Sequence, residues 1–463
     1  MAKAPTHRIE RDSMGELQVP ADALWGAQTQ RAIDNFHISG QPMHAGLVRA
    51  LALVKAAAAQ SNADLGHLDA RRATAIASAA TRIAAGEYAE QFPVDRYQTG
   101  SGTSTNMNVN EVIAHLASTT RLQVHPNDHV NLGQSSNDTI PSAIRVATVL
   151  AVQNALLPDL GNLRRTIRAR ARRLRGVAKT GRTHLMDAMP ITFGQEFQAW
   201  AAQLDSAEAR LKDTLQRVRR LPIGGTAVGT GINADPRFGG KLARALSRQA
   251  STRFVQADNL FEGIAAQDDL VELSGQLNAL AVALMKIAND LRWMNAGPLA
   301  GLGEIALPAL QPGSSIMPGK VNPVIPEAAA MVCAQVMGLH AANTVAGQSG
   351  NFQLNVMLPL LGCNLLDACD LLCGAMQALD ADAVGGLAVR KEVVGQALAR
   401  NPILVTALNP VIGYEKAAEI AKRAYAEGRP VLDVALEDSG LGEAELQRLL
   451  DPARLTKGGI AGT

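Results

Sequence analysis

The feature that most constrains the fold is a set of long segments whose apolar residues recur every three or four positions. This spacing predicts amphipathic helices, because it places the apolar residues on one face of a 3.6-residue repeat. The segments span about residues 141–174, 194–219, 262–296, 324–346 and 353–380. In the third, leucines form one stripe and alanines allow neighbouring helices to approach closely: Leu270, Leu273, Leu277, Leu280, Leu284, Ala279, Ala281 and Ala283.

The length of these segments has a consequence for assembly. A helix of about 35 residues extends roughly 50 Å and cannot bury its sides within a compact monomeric domain. We therefore expect a helical bundle that other subunits extend. Composition agrees, since only 3% of the 463 residues are aromatic and alanine is abundant. Small and aliphatic side chains favour closely packed helices over a β-sandwich, so the predicted fold is mostly α.

Changes in the sequence pattern predict three domains. Residues 1–135 mix extended and helical signals with many polar residues, whereas residues 136–391 contain the long helical segments. Residues 392–463 return to short helices, which are separated by Gly428–Arg429–Pro430 and by Ser439–Gly440. We expect an N-terminal mixed domain, a central helix-bundle domain and a small C-terminal helical domain.

Charge and terminal composition bear on partners and location. The net charge of +2 supplies no broad field for nucleic acid or anionic lipid, and the arginine-rich stretch 163–176 has the helical spacing of a solvated face. The first residues, MAKAPTHRIERD, contain no apolar signal region, and no apolar run is long enough to span a bilayer. We expect a cytoplasmic protein that binds neither nucleic acid nor membrane.

The cysteines are predicted to be buried free thiols: Cys333, Cys363, Cys369 and Cys373.

A glycine-bracketed stretch, GSSIMPGKVNP at 313–323, first suggests a phosphate-binding loop. That motif requires GxxxxGK followed by Ser or Thr. Here five residues separate Gly313 from Gly319, and Val321 occupies the position of the hydroxyl that would bind magnesium. Pro318 also removes a backbone donor, so the sequence argues against a nucleotide site.

The same stretch has the composition of a mobile lid. Glycine and proline lie at both ends, and the tip carries Ser314 and Ser315, with Lys320 and Asn322 following. A serine acts as a base only where donors stabilise its alkoxide, and no GxSxG motif marks a hydrolase nucleophile. Taken alone, the stretch is equally compatible with a polar hinge loop.

Three further segments are rich in neutral hydrogen-bond donors. They read TGSGTSTNMN at 99–108, GQSSNDTIPSA at 133–143 and GRTHLMDAMPITFGQE at 181–196, and the last two precede long helices. Amide donors at helix N-termini favour anions, and no metal-ligand spacing accompanies them. This pattern indicates a small carboxylate substrate bound by hydrogen bonds, without a metal or organic cofactor. The run GGTAVGTG at 224–231 lacks the GxGxxG spacing of dinucleotide sites.

Together these motifs resemble the fumarase/aspartase superfamily, in particular its class II fumarate hydratases, over essentially the whole chain. The resemblance implies a mostly α-helical, three-domain subunit whose central helices form a twenty-helix core in a homotetramer. It also implies active sites shared by three subunits and reversible anti addition of water to fumarate, giving L-malate, as in the tricarboxylic acid cycle, without metal or cofactor. The matching stretches include MGELQVPADALWGAQTQRAIDNF, QTGSGTSTNMNVNEV, VHPNDHVN, QSSND, GRTHLMDAMPITFGQEF, GGTAVGTGIN, GSSIMPGKVNP and ALNPVIGYEKAAEIAK.

The resemblance assigns catalytic roles to five residues. Ser314 matches the base that removes the C3 proton of malate, and Lys320 and Asn322 match the groups that hold the resulting aci-carboxylate carbanion. His184 matches the group that handles the departing hydroxyl through a bound water, with Glu327 as its charge partner. Substrate-binding positions are matched by Ser101, Gly102, Thr103, Ser135, Ser136, Asn137, Thr183, Ser315, Lys320, Val321 and Asn322.

A second carboxylate site is implied at His125, Pro126, Asn127 and Asp128. There the chain departs from the family pattern, because Leu122 stands where an arginine usually precedes the histidine and the segment is shorter.

Two alternatives remain at the level of sequence. Aspartate ammonia-lyases share the scaffold but typically carry TQLQD, where this chain has THLMD. A non-catalytic structural relative, such as the lens crystallins of this superfamily, would need none of Ser314, His184, Lys320 or Glu327, which this chain retains together.

Overall fold

The computed structural model describes residues 6–459, and helices dominate it. The strands occur in two-stranded sheets, at β1 (His7–Asp12), β2 (Gly15–Pro20), β3 (Ala178–Thr183), β4 (Met186–Thr192), β5 (Arg220–Leu221), β6 (Val255–Gln256), β7 (Ile305–Ala306), β8 (Gly350–Asn351), β9 (Leu354–Asn355) and β10 (Ala388–Val389). The helices are α1 (Ala27–Asn35), α2 (Ala45–Asp64), α3 (Ala70–Ala84), α4 (Thr103–Ala117), α5 (Ser136–Ala151), α6 (Leu157–Arg173), α7 (Phe193–Val218), α8 (Phe238–Gln249), α9 (Leu260–Ala265), α10 (Asp268–Asn295), α11 (Val324–Gln348), α12 (Leu358–Ala378), α13 (Lys391–Ala399), α14 (Asn409–Ile412), α15 (Tyr414–Glu427), α16 (Val431–Asp438), α17 (Glu443–Leu449) and α18 (Pro452–Leu455).

The long helices predicted from periodicity are confirmed, with differences at their ends. The segment from 141 to 174 consists of α5 and α6, which a π-helical turn at Val152–Leu156 joins. The segment predicted from 262 is interrupted, because the Gln267 side chain donates to the carbonyls of Gly263 and Ile264, and α10 begins only at Asp268. Side-chain competition for backbone carbonyls therefore sets a boundary that periodicity does not show.

Internal contacts divide the chain into two compact units. The first comprises residues 6–158, 207–281 and 334–373, and the second comprises residues 159–206, 282–333 and 374–459. Their boundaries fall within the long helices. The three-domain division stays a prediction.

In the first unit, α2 contacts α3, α5 and α8. Leu47, Leu51 and Val54 of α2 are fully buried, as the apolar spacing requires. The same helix buries Lys55 completely, which is unusual for a lysine.

In the second unit, aromatic residues at the start of α7 pack with one another. The Phe197 and Trp200 rings stack at a centroid distance of 4.5 Å, and Trp200 Nε1 donates to Asp290 at 3.0 Å. Further along the chain, the short C-terminal helices form a hydrophobic cluster of their own, which includes Leu408, Ile420, Val434 and Leu446.

Two smaller predictions are also confirmed. All four cysteines are buried, and none of them forms a disulfide. In the arginine-rich helix α6, Leu163, Ile167 and Ala171 are buried while Arg172 and Arg173 are exposed, as expected of a helix with one solvated face.

The expectation about membrane-length apolar runs was wrong by a criterion of length and composition. Four helical stretches are long and apolar enough to cross a membrane. The protein buries part of the most apolar window of each stretch, and in chain order the buried shares are 67%, 50%, 22% and 72%. Single charges such as Lys286 do not lower the mean hydropathy enough to exclude them. The least buried is α11, where Met331 and Val345 are 68% and 54% exposed. The stretches are Ser136–Arg173, Asp268–Asn295, Val324–Gln348 and Leu358–Val384.

Candidate active site

The first group of predicted substrate contacts lies at the N-terminus of α4, in the first unit. Gly102 is the N-cap at φ 72°, a left-handed conformation, and an added Cβ would lie 2.9 Å from Ile140. Glycine is therefore required both by backbone conformation and by space. The hydroxyls of Ser101 and Thr103 lie 2.8 Å apart, and Gln98 accepts hydrogen bonds from both the backbone and the hydroxyl of Thr105.

The second group lies at the N-terminus of α5, also in the first unit. Ser135 caps the helix by accepting a hydrogen bond from the Asn137 N–H at 3.2 Å, and Asp138 accepts from the Ser135 N–H at 3.0 Å. The Asn137 side chain donates to the carbonyl of Ala227 at 2.9 Å, which fixes its orientation. Ser136, in the first turn, is buried. A capped helix start of this kind has the positive dipole end that suits a carboxylate.

A buried carboxylate supports that helix start. Asp138 is fully buried and accepts from the backbone N–H groups of Gly224 and Thr226, each at 2.9 Å. Burial raises the pKa of Asp138, while its hydrogen bonds with these backbone groups favour the charged form. The glycine-rich run from 224 to 231 therefore holds the α5 cap in place.

A buried lysine lies in the same polar network. Lys55 Nζ donates to Asn131 Oδ1 and to Gln134 Oε1, both at 2.9 Å, and Asn131 Oδ1 also accepts from Asn106. Asn106 in turn lies 3.3 Å from the Ser136 hydroxyl. Burial lowers the pKa of Lys55 to about 7, although the charge of Asp138 acts in the opposite direction. A cation is thus connected by two amides to a predicted substrate contact.

The hairpin that carries Thr183 and His184 belongs to the second unit. β3 and β4 are antiparallel, with Thr183 opposite Met186, so His184 and Leu185 form the tip. Both tip residues have positive φ, at 56° and 62°. Left-handed conformations are unfavourable for residues other than glycine, and they cluster at functional sites where surrounding structure enforces them.

The lid segment 313–323 also belongs to the second unit. Its base is closed by the Gly313 N–H, which donates to the Lys320 carbonyl at 2.8 Å, and by Asn322, which donates to the Gly313 carbonyl at 2.6 Å. At the tip, Ser314 Oγ accepts from the backbone N–H groups of Ile316 and Met317, at 3.2 and 2.9 Å. The remaining predicted contacts of the loop are exposed, namely Ser315, Lys320 and Val321.

Glu327 follows the loop in the first turn of α11 and is half-buried. The two helix starts and the loop are each held by hydrogen bonds within their own unit. Residues from 101 to 137 belong to the first unit, and Thr183, His184, the loop and Glu327 belong to the second.

The predicted second carboxylate site forms one turn in the first unit. His125 precedes the π-helical turn Pro126–Val130 and accepts from the Asp128 N–H at 3.2 Å. His125, Pro126 and Asn127 line a cavity of about 880 Å³ together with Arg11 and His115. Leu122 lines a different cavity beside Arg121. Arg11 therefore offers a cationic group in the same cavity as the turn, whereas burial lowers the pKa of His115 and favours its neutral form. The role of the turn stays a prediction.

Metal ligands are not grouped in the part of the chain that the structure describes. Between residues 6 and 459, no cluster of three or more His, Cys, Asp or Glu side chains could hold a metal ion.

Comparison with known proteins identifies the family. A family model described as "Lyase" matches residues 15–338, and one described as "Fumarase C C-terminus" matches residues 404–457. A protein of Xylella fastidiosa named "Fumarate hydratase class II" is 66% identical over 461 residues, which are 99% of this chain and 98% of that protein. The chain belongs to the class II fumarate hydratase family. Members of this family are lyases of the fumarase/aspartase superfamily, so the chain is a lyase.

Further comparisons agree with class II fumarate hydratase membership. A Pseudomonas aeruginosa protein named "Fumarate hydratase class II 2" is 58% identical over 98% of this chain and 99% of its own length. The crystal structure of a class II fumarase from Schistosoma mansoni has a TM-score of 0.94 at 36% identity and covers 97% of this chain and 99% of that one. The predicted fumarase/aspartase fold is therefore confirmed.

Sequence reasoning missed the polar residues that support this fumarate hydratase fold from within. Lys55, Asn131 and Asp138 were not singled out. Asp138 accepts a hydrogen bond from the N–H of the predicted contact Ser135, and Lys55 and Asn131 are connected to the predicted contact Ser136 through Asn106. A signal for Lys55 was available, because it is the lone cation within the apolar stretch LALVKAAAA. A cation inside an otherwise apolar helical segment indicates a buried polar partner.

Proposed function

We propose that this chain catalyses the reversible addition of water to fumarate, giving L-malate, a reaction of the tricarboxylic acid cycle. The observation that carries the proposal is the 66% identity to a protein named fumarate hydratase over nearly the whole of both chains. Retention of the four residues that a non-catalytic relative would not need gives further support: Ser314, His184, Lys320 and Glu327.

Ser314 is the proposed base for the C3 proton of malate. Its hydroxyl oxygen already accepts two backbone N–H groups, at 3.2 and 2.9 Å. Such donors stabilise the negative charge of an alkoxide, which a serine in water lacks. The geometry supports Ser314 over Ser315, whose hydroxyl is exposed and has no such pair of donors among the described contacts.

The remaining groups handle the electrons and the leaving group. When C3 loses its proton, the electron pair moves into the adjacent carboxylate, and Lys320 and the amide of Asn322 hold the doubly charged aci-carboxylate. The Asn322 amide carries two N–H groups, of which one is used by the Gly313 carbonyl. The electron pair then returns from the aci-carboxylate to form the C2=C3 double bond as the C2–O bond breaks. A proton delivered from His184 through a bound water converts the departing hydroxyl to water. Glu327 balances the charge on His184.

Substrate carboxylates are proposed to bind at the two helix starts of the first unit. The hydroxyls of Ser101 and Thr103 and the capped first turn at Ser135–Asn137 present neutral donors and aligned dipoles. Neutral donors suit a dianion whose charge must shift during reaction, since they bind without fixing charge at one end. No metal or organic cofactor is required by this scheme.

We also propose a cytoplasmic homotetramer in which each active site combines residues of three subunits. Exposed apolar residues on the long helices support this, including Val282 and Trp293 of α10 and Met331 and Val345 of α11. Contiguous apolar helix faces of this kind are typical of subunit interfaces. Light scattering tests the assembly: the expected mass is four times 48.7 kDa. A monomeric mass would contradict it.

The experiment that tests the reaction follows fumarate by its absorbance. Purified protein is given L-malate or L-aspartate, each with and without a chelator. We expect fumarate from malate only, at a rate that the chelator does not change. Fumarate from aspartate only would indicate an ammonia-lyase, and no fumarate from either would indicate a non-catalytic relative. Loss of activity on chelation would contradict the metal-independent scheme.

A further inference from the structure

A buried network of charges adjoins the hairpin that carries His184. Lys179 Nζ, on β3, lies 2.8 Å from Glu196 of α7 and 2.8 Å from Glu304. The guanidinium of Arg182 lies 2.8 Å from the other oxygen of Glu304. The side chains of Lys179 and Glu304 are 2% and 3% exposed. All of these residues belong to the second unit.

The network contains equal numbers of positive and negative charges, but burying these charges costs desolvation free energy. Two cations face two carboxylates, and Lys179 also lies against the Phe193 ring at 4.7 Å. Desolvating charges can cost as much as their attraction returns, so apolar residues of similar size would often be equally stable. A buried ion network is therefore weak evidence for stability, and a role in fixing geometry has to be considered.

The backbone at the hairpin tip has an unfavourable conformation that neighbouring structure must hold in place. His184 and Leu185 are successive non-glycine residues at positive φ, a conformation that is unfavourable because it brings Cβ too close to the following carbonyl oxygen. The pairing register shifts between Thr180 and Arg182, after which Arg182 pairs with Asp187. Arg182 therefore lies two residues before the strained tip, and its side chain is held by a buried carboxylate.

Glu304 is connected to more than the hairpin. Its carbonyl accepts from the Arg390 N–H at 2.9 Å, and the next residues pair as β7 with β10. It is thereby fixed in the body of the second unit. Through Arg182 and Lys179, it ties two positions of β3 to that fixed point.

We propose that Glu304 is a positioning residue for His184: by holding Arg182, it keeps the strained tip of the β3–β4 hairpin in the orientation that the hydration reaction needs. The inference rests on the proposed function, in which His184 transfers a proton through water. Glu304 itself does not touch substrate in this scheme. It acts through the backbone of Arg182, Thr183 and His184.

The chain offers a matched pair of variants to test this. Glu304→Gln keeps the shape but removes the charge that pairs with both Lys179 and Arg182. Glu196→Gln removes the other carboxylate of Lys179 and leaves the Glu304–Arg182 contact intact. We expect kcat for L-malate to fall about 100-fold in Glu304→Gln with KM nearly unchanged, because displacement by about 1 Å can cost that much. In Glu196→Gln, Glu304 still holds Arg182, so His184 should not be displaced and kcat should remain within about threefold of wild type.

Two further readouts distinguish positioning from stability. The pH–rate profile should shift in Glu304→Gln and not in Glu196→Gln, since only the first variant moves His184. The ring signals of His184 in protein labelled at histidine, assigned with His184→Asn, should move in the same way without any substrate. Equal melting temperatures, kcat values and profiles in the two variants would overturn the inference.

A second variant covers the case in which Glu304→Gln does not fold. Arg182→Lys changes a side chain that is 16% exposed, keeps the charge and loses the planar fork. We expect roughly a 10-fold loss of kcat and a profile shift in the same direction. Wild-type kcat and profile in this variant would overturn the inference. If the wild-type protein makes no fumarate from malate, the proposed function is rejected. The ring signals of His184 do not depend on activity, so they still test whether Glu304 positions His184.

Discussion

The start of α5 and the loop at 313–323 carry similar residues, namely serines, an asparagine and a glycine, but they differ in burial and in hydrogen bonding. At the start of α5, Asp138 is buried among backbone N–H groups, and Ser136 lies in a network that includes a buried lysine. In the loop, hydrogen bonds close the base, while most residues of the tip are exposed. One region is fixed from within, and the other is tied only at its ends.

The difference suggests a division of labour. Donors that bind a carboxylate must be in place before the reaction, because reorganising them during it would cost part of the stabilisation. A base that has to reach a carbon atom, and then let product leave, can instead sit on a segment that closes and opens. At the tip of the loop, the preorganised part consists of Ser314 and its two N–H donors.

The largest expected effect comes from removing the proposed base. Ser314→Ala should lower kcat by at least about 1,000-fold, which corresponds to roughly 4 kcal/mol of transition-state stabilisation. The unfolding free energy should change by less than about 0.5 kcal/mol, since the residue lies in an exposed loop. Steady-state kinetics with L-malate and urea unfolding measure the two quantities.

Ser315→Ala is the matched control for that prediction. Its hydroxyl is a proposed substrate contact, so we expect mainly a higher KM. A greater loss of kcat in Ser315→Ala than in Ser314→Ala would mean that the two serines have been assigned in the wrong order.

The next effect concerns the fixed region and the pH dependence of its stability. The pKa of Lys55 is lowered from 10.5 to about 7 in the folded protein, so the unfolded chain holds one proton more between these pH values. Stability should therefore rise with pH across this window, by up to about 1.4 kcal/mol per pH unit, and this contribution is lost as pH falls towards 7. Lys55→Met removes the titrating group and should flatten the dependence.

Urea unfolding of wild type and Lys55→Met at pH 7, 8 and 9 gives the comparison, with exposed Lys416→Met as the control. The control should keep the wild-type slope. If Lys55→Met also keeps the wild-type slope, burial does not lower the pKa of Lys55 as expected.

Much of the fold was predictable because its signals are local. The apolar stripe of α10 and the serine cap of α5 each follow from residues close together in sequence. Glycine and proline likewise marked the loop at 313–323. These features depend on neighbouring residues, and single-chain periodicity captures them.

The supporting contacts were not predictable, because their partners are distant in sequence. Asp138 accepts from Gly224 and Thr226, and Glu304 pairs with Lys179 and Arg182, only once the chain has folded. The strained tip was hidden for another reason. Leucine is not a residue that turns usually select at positive φ, so the letters THLM do not indicate two successive left-handed residues at His184 and Leu185.

A last comparison concerns two glycines that share a backbone conformation but have different surroundings. Gly102 and Gly319 have φ of 72° and 82°. A Cβ at Gly102 would lie 2.9 Å from Ile140, whereas a Cβ at Gly319 would have no atom within 4 Å. Alanine at either position costs about 1 kcal/mol for the backbone, and at Gly102 overpacking adds about 1–3 kcal/mol.

Urea unfolding should therefore separate the two variants. Gly102→Ala should lower the unfolding free energy of the protein and raise KM, because Ser101 and Thr103 move with the backbone. In Gly319→Ala the strain falls on a loop that is attached only at its base, so global unfolding should hardly change. Equal destabilisation by the two substitutions would mean that the loop is packed as firmly as the helix start, and the contrast between a fixed binding region and a closing one would fail.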